Sequence, residues 1–133
     1  MNRLLATVAS GTLLLGLGLA APAVAQAAPS TPKVSNCGEL STKPTGIVLT
    51  CADAILALEK LEWTKWNSGT AKGTGVYAYN DCEPTCVAGT FYRDRVIVQL
   101  MTPKAVKGVK VFTKAKVTFP KGSGQSSLTF QLN

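Results

Sequence analysis

The sequence contains no histidine, and this one absence removes several kinds of active site. Ser-His-Asp and Cys-His relays need an imidazole to carry a proton, and imidazole is the commonest metal ligand. Acidic residues are also few, because 7 Asp and Glu stand against 14 Lys and Arg, for a formal net charge of +7. The chain is therefore not an acidic, disordered protein, and its 133 residues suffice for one domain at most.

Long apolar runs are absent except at the amino terminus. Arg3 precedes an apolar stretch over residues 4–19, and small residues follow it. A basic start, an apolar centre and an Ala-x-Ala ending are typical of a secretory signal peptide. We predict a signal peptide over residues 1–27, with cleavage after Ala27, or after Ala25 as the alternative. The mature chain is then expected to be secreted and extracellular, without a membrane span.

The four cysteines all lie in the mature chain, at Cys37, Cys51, Cys82 and Cys86. An even number in an exported chain predicts two disulfides. A four-thiolate zinc site would need two close pairs, and only Cys82 and Cys86 are close. The predicted strand order favours a bridge from Cys51 into the loop of Cys82 and Cys86, with Cys37 bonded to the remaining cysteine. Two local bridges, Cys37–Cys51 and Cys82–Cys86, are the alternative.

The first part of the mature chain, residues 28–45, is rich in Pro, Ser, Thr and Gly and is predicted to be a loose leader. A single β domain is expected over residues 46–133, beginning with a short strand at 47–51. Asp53 is an acceptable helix N-cap, and apolar residues follow at helical spacing, so one short helical turn is predicted there.

Alternating apolar and polar residues dominate the rest of the chain. The clearest strands are residues 91–101 and 109–119, and weaker patterns cover 61–66, 70–79 and 128–132. Turn signals separate these stretches at short intervals, which is typical of all-β domains. We predict an all-β fold: a small, disulfide-stapled β-sandwich or partly open barrel of about six to seven strands.

Two tryptophans stand three residues apart, at Trp63 and Trp66. Residues at this spacing on a regular strand point to opposite faces, so one indole is expected in the core and the other on the surface. Burial of both is the plainer interpretation, because Trp is highly buried on average. An exposed Trp66 is the candidate aromatic contact, close to Tyr77 or Tyr79, for stacking on a sugar ring.

Three sequence pieces occur together in the middle of the chain: Cys51-Ala52-Asp53, Leu61-x-Trp63-x-x-Trp66 and Asn80-x-Cys82-x-Pro84-x-Cys86. In this combination, the chain resembles a family of small secreted actinobacterial proteins of uncharacterised role. The resemblance extends over roughly half of the mature chain. It implies export and a small cysteine-stapled domain, and it implies no catalytic residue.

The most uneven feature of the sequence is a group of lysines without an acidic neighbour, in a predicted C-terminal hairpin. These are Lys104, Lys107, Lys110, Lys114, Lys116 and Lys121. Strand alternation predicts Lys110, Lys114 and Lys116 on one face. Outside a cell, such a face attracts anionic envelope polymers. Lysines also protect sheet edges from aggregation, and this is the plainer interpretation.

Taken together, these features predict a secreted, non-catalytic binding or structural module that associates with anionic cell-envelope polymers through the basic hairpin. The alternative is a secreted inhibitor or effector that binds another protein through the loop from Asp81 to Gly89. No catalytic residue, metal or cofactor is predicted. Nucleic acid is not an expected partner because the chain is exported, and the domain is expected to be a monomer.

Overall fold

The computed structural model describes residues 30–132, and the predicted signal peptide lies outside the described residues. This part of the chain forms eight strands. They are β1 (Lys33–Asn36), β2 (Glu39–Ser41), β3 (Ile47–Val48), β4 (Leu56–Trp66), β5 (Ala71–Asn80), β6 (Phe91–Val106), β7 (Val109–Thr118) and β8 (Leu128–Gln131). No helix able to cross a membrane is found within residues 30–132.

One sheet contains all eight strands, in the order β2-β1-β7-β6-β5-β4-β3, with β8 also paired to β7. Strands β4 to β7 form an antiparallel meander, whereas β1 pairs with β7 in parallel. The sheet curls until β1 approaches β3, where the Val48 amide donates to Asn36 Oδ1 at 2.8 Å. The predicted all-β class is confirmed, in its partly open barrel form.

The core fills the inner face of this curled sheet. Its side chains come from every strand of the meander and from the amino-terminal segment. The largest fully buried ones are Pro32, Val34, Ile47, Leu58, Val98, Leu100, Phe112 and Val117. On β6 the buried residues Val96, Val98 and Leu100 alternate with Arg95, Ile97 and Gln99, as the sequence pattern predicts.

Two irregularities in β4 decide which of its side chains face inward. Relative to β5, β4 contains one extra residue between Glu59 and Glu62, and another between Trp63 and Lys65. Each extra residue restarts the alternation of faces. Both indoles therefore lie on the inner face, with ring centroids 4.8 Å apart. The prediction that they face opposite sides is wrong, and Trp66 is half-buried rather than exposed.

The strand opposite these bulges carries glycine where the backbone of β4 comes closest. A Cβ on Gly73 would collide with the Glu62 carbonyl oxygen and lie 3.1 Å from Trp63 Cα. A Cβ on Gly75 would lie 2.9 Å from the Glu59 carbonyl oxygen and 2.8 Å from a methyl carbon of the Leu61 side chain. These two glycines thus make room for the bulges of β4.

The segment predicted as a loose leader is instead built into the barrel. Pro32 and Val34 are fully buried, and residues 33–41 form β1 and β2. The Trp66 indole N–H donates to the Pro32 carbonyl at 2.9 Å, and the Trp63 indole N–H donates to the Pro44 carbonyl at 2.8 Å. The segment has too few apolar residues to show a strand pattern, and distant side chains hold it in place.

The predicted helical turn after Asp53 is also absent. Asp53 Oδ1 accepts a hydrogen bond from the Ile55 amide at 3.3 Å, and the chain enters β4 at Leu56. The aspartate therefore closes a local turn rather than capping a helix. The apolar spacing of Leu58 and Leu61, which resembled a helical face, results from the first bulge of β4.

The disulfides are the two local ones, Cys37–Cys51 and Cys82–Cys86, so the favoured long-range pairing is wrong. The predicted strand order omitted β1 and β2, whose connecting turn carries Cys37 close to the end of β3. All four sulfurs are oxidised, which removes the zinc alternative. Two disulfides in so small a domain are typical of extracellular proteins.

We expect Gly73→Ala to destabilise the fold by about 1–3 kcal/mol, because the new methyl group would overlap the backbone of β4. Urea unfolding followed by Trp fluorescence measures the change. Gly69→Ala is the matched control, since its Cβ would meet nothing closer than Asn67 Oδ1 at 3.9 Å. Equal stability of the two variants would contradict the proposed role of Gly73.

Candidate functional site

A row of residues runs across the outer face of the sheet, perpendicular to the strands. The cross-strand pairs join Lys65 to Lys72, Lys72 to Gln99, Gln99 to Lys116, and Lys116 to Thr129. Directly paired residues lie on the same face of a sheet. Lys65, Lys72 and Lys116, here called the lysine row, therefore share one surface and span about 14 Å at the usual strand spacing.

The charges of the lysine row are not balanced within the row. Lys65 stands directly opposite Lys72, and like charges in directly opposite positions destabilise a sheet. The ion pair found among residues 30–132 joins Arg93 to Glu59 at 3.2 Å, and it lies further along the strands. The neighbouring carboxylate, Glu62, pairs with Thr74 in the next row.

An open groove of about 480 Å³ borders the lysine row. Its floor includes Val76 and Ile97, and Ile97 is 45% exposed although it is a large apolar residue. Lys60, Glu62 and Arg95 provide the charged groups of its lining. The row and the groove together make a continuous outer surface with excess positive charge and a small apolar centre.

Two of the six lysines predicted from the sequence, Lys114 and Lys116, lie on this surface beside each other on β7. Lys110 does not share their face. Phe112 and Ala115 are both in the core although they are three residues apart, so the alternation of β7 breaks between them. At this break Thr113 Oγ1 donates to the carbonyl of Thr102, a residue with a φ of 55°.

The other predicted lysines lie elsewhere. Lys104 is near the end of β6, Lys107 is in the turn of the β6–β7 hairpin, and Lys121 is in the connection to β8. Lys65 and Lys72 were not among the predicted site residues, because acidic residues balance them along the chain and they join the charged surface only across the sheet. The alternating patterns at 61–66 and 70–79 indicate that these two lysines are on strands, but they do not give the register between the strands.

A second candidate surface is the loop from Asp81 to Gly89, between β5 and β6. Asn80 anchors both arms, since its Oδ1 accepts from the Cys82 amide at 2.8 Å and its Nδ2 donates to the Cys86 carbonyl at 3.0 Å. A Cβ on Gly89 would collide with this amide side chain. The loop is thus tied by side chains in addition to its disulfide.

Asp81 fastens the base of the loop with its carboxylate. Its Oδ1 accepts from the Thr90 amide at 2.9 Å and from the Glu83 amide at 3.1 Å. These hydrogen bonds, first that from Thr90 and then that from Glu83, lower the pKa of Asp81 below its ordinary value. The opposite shift occurs inside the barrel, where burial and then the nearby Tyr79 raise the pKa of Tyr77.

Residues 30–132 contain no group of three or more potential metal-ligating side chains. Comparisons of the chain with models of protein families, with curated proteins and with solved structures found no match. The features that bear on function are the two surfaces, the lysine row with its groove and the loop from Asp81 to Gly89.

The lowered pKa of Asp81 predicts how the stability of the fold changes with pH. The carboxylate stabilises the fold above the unfolded-state pKa of about 4, and this contribution is lost as the pH falls through the lower folded-state pKa. We expect the melting temperature of Asp81→Asn to fall less between pH 5 and pH 2 than that of the wild type, measured by circular dichroism. Glu39→Gln, in the β1–β2 hairpin, is the control for loss of one carboxylate. An equal fall in wild type and Asp81→Asn would contradict the assignment.

Proposed function

We propose that this chain is a secreted binding module and that its outer face holds an anionic cell-envelope polymer. The observation that supports this function best is the lysine row, in which Lys65, Lys72 and Lys116 are aligned on one face across four strands. Export by the predicted signal peptide would bring the face to such polymers. The resemblance to small secreted actinobacterial proteins agrees with that location.

Edge protection explains two of the three lysines of the row poorly. Lys72 is on β5 and Lys116 is on β7, and both strands are paired on both sides. Lysines that prevent aggregation belong on edge strands, where unpaired backbone groups attract other chains. A direct Lys65–Lys72 pair also lowers stability, so it is an unfavourable choice for a surface that only needs solvation.

A polyanion relieves this repulsion. Each anionic group that lies between two ammonium groups replaces an unfavourable contact by two favourable ones, and bound counterions are released to solvent. Lys114 extends the charged surface along β7, and Arg95 and Lys60 extend it into the groove. Because surface charges are screened over about 8–10 Å at physiological salt, the attraction is expected to be strongly salt-dependent.

We expect the triple variant Lys65→Gln, Lys72→Gln, Lys116→Gln to lose retention on immobilised polyphosphate and on purified bacterial cell walls. A plot of the logarithm of its binding constant against the logarithm of the salt concentration should have a slope that is smaller in magnitude by roughly two to three, about one for each lysine removed. The measurement is elution of the mature protein by a salt gradient. The variant should fold with equal or higher stability, because the Lys65–Lys72 repulsion is gone.

The matched control removes the same charge from the hairpin end, with Lys104→Gln, Lys107→Gln and Lys110→Gln. If this control loses retention and the row variant keeps it, the basic hairpin is the binding surface and the lysine row is not. Vesicles containing 20% phosphatidylglycerol separate a lipid source of anionic groups from a polymer. Failure of the wild type to bind walls, polyphosphate and vesicles would refute the proposed function.

A further inference from the structure

The last strand of the sheet, β8, has a free edge. It pairs with β7 and with no other strand of residues 30–132. The Leu132 amide donates to the Thr113 carbonyl at 2.9 Å, and in an antiparallel ladder every second residue is bonded to the same neighbour. The backbone amides and carbonyls of Thr129 and Gln131 therefore point away from β7, and within the described part of the chain no hydrogen bond reaches them.

This edge lacks most of the features that keep a sheet edge from pairing with another chain, which are charged side chains, proline, bulges and very short strands. Residues 122–133 contain no charged side chain and no proline, and the register between β7 and β8 is unbroken. The other two edges are better protected. Strand β3 has two residues, and its Val48 amide is bonded to Asn36, whereas β2 has three residues and begins with Glu39. Among the described strands, the four-residue edge of β8 is thus the one most open to pairing.

The inner side of the same edge is apolar and incompletely covered. Leu128, Phe130 and Leu132 pack against the core, but each remains only half-buried. The Phe130 ring is held in position by Tyr77, with ring centroids 6.0 Å apart. A further strand beside β8 would therefore remove apolar surface from water and also satisfy the free backbone groups.

The residue pattern of β8 is symmetric about Phe130, and this symmetry selects a second copy of the chain as the partner. In an antiparallel pair centred on Phe130, the two Phe130 rings are directly opposite at a non-hydrogen-bonded position, where side chains approach most closely. Leu128 then faces Leu132 of the second copy on the inner side. Thr129 faces Gln131 of the second copy, and their outward amides and carbonyls bond to each other. Every apolar residue thus meets an apolar one, and every neutral polar residue meets a neutral polar one.

The positive charge of the chain opposes this pairing only weakly. The lysines next to β8 are Lys114 and Lys116, which pair with Gln131 and Thr129. In the two-fold pair, Lys116 lies three strands away from Lys114 of the second copy, about 14 Å at the usual strand spacing. This distance exceeds the screening length of about 8 Å at physiological salt. The assembly also stops at two copies, because the pairing uses the open edge of both.

We propose that β8 pairs with β8 of a second copy, so that the mature chain forms a two-fold symmetric dimer with one continuous sheet. This differs from the monomer expected from the sequence. An interface of two four-residue strands is smaller than that of an obligate dimer, so the association is reversible and depends on concentration. The dimer aligns the outer faces of two copies, but its formation does not depend on polymer binding.

Amide hydrogen exchange of the wild-type mature protein, followed by NMR without any polymer, tests the position of the interface. We expect the Thr129 and Gln131 amides to exchange about tenfold more slowly at millimolar than at micromolar concentration, because exchange then requires the minor monomer fraction. The Leu128 and Phe130 amides, which are bonded to β7 in both states, are the internal control. A monomer at every concentration would overturn the proposal, and so would a dimer without this protection.

Sedimentation equilibrium of two charge-matched variants tests the pairing itself. Thr129→Lys with Gln131→Lys places like charges directly opposite each other across the two-fold axis, and we expect dimerisation to weaken by about tenfold or more. Ser68→Lys with Val87→Lys adds the same charge at exposed loop positions and should associate like the wild type. Near-ultraviolet circular dichroism checks that both variants fold. Equal association of the two variants would overturn the proposal, as would capture of an extended segment of another protein by a monomeric wild type. The triple lysine variant should still dimerise, so failure here leaves the polymer-binding proposal to its own test.

Discussion

Closure of this barrel depends on the second bulge of β4, the extra residue between Trp63 and Lys65. The bulge turns the Trp66 indole inward, where its N–H reaches the Pro32 carbonyl and its ring packs 5.6 Å from that of Phe112. Pro32 is thereby fixed at the start of β1, the strand that pairs with β7 and approaches β3. Without the bulge Trp66 would point to solvent, and the amino-terminal segment would lose the hydrogen bond that seats it.

The same bulge creates the candidate site. In a regular strand Lys65 would share the inner face with Trp63, because residues two apart lie on one side. The extra residue at Thr64 moves Lys65 to the outer face, directly opposite Lys72. One backbone irregularity thus buries an indole and completes the lysine row, so a change that removed it would alter the core and the charged surface together.

Most of the meander could be predicted from the sequence, because its residues follow simple alternation. The strands at 91–101 and 109–119 and the inward Val96, Val98 and Leu100 belong to this group. The bulges could not be predicted, because the sequence signals for them are Gly73 and Gly75 on the partner strand β5. In a pattern of alternating residues, these glycines indicate only a weak strand. The lysine row was missed for the same reason, because it requires the register of four strands. The amino-terminal strands and the disulfide pairing depend on contacts between residues far apart in the chain.

The sheet also separates the lysine row from the loop between Asp81 and Gly89. The row crosses the middle of β6 near Gln99, whereas the loop joins β6 at its start, at Phe91, eight residues away. Eight residues of extended strand span about 27 Å, which is well beyond the screening length of about 8–10 Å at physiological salt. The charges of the row therefore act only weakly on the Asp81 carboxylate, so we expect substitutions in the lysine row and the substitution Asp81→Asn to act independently of each other.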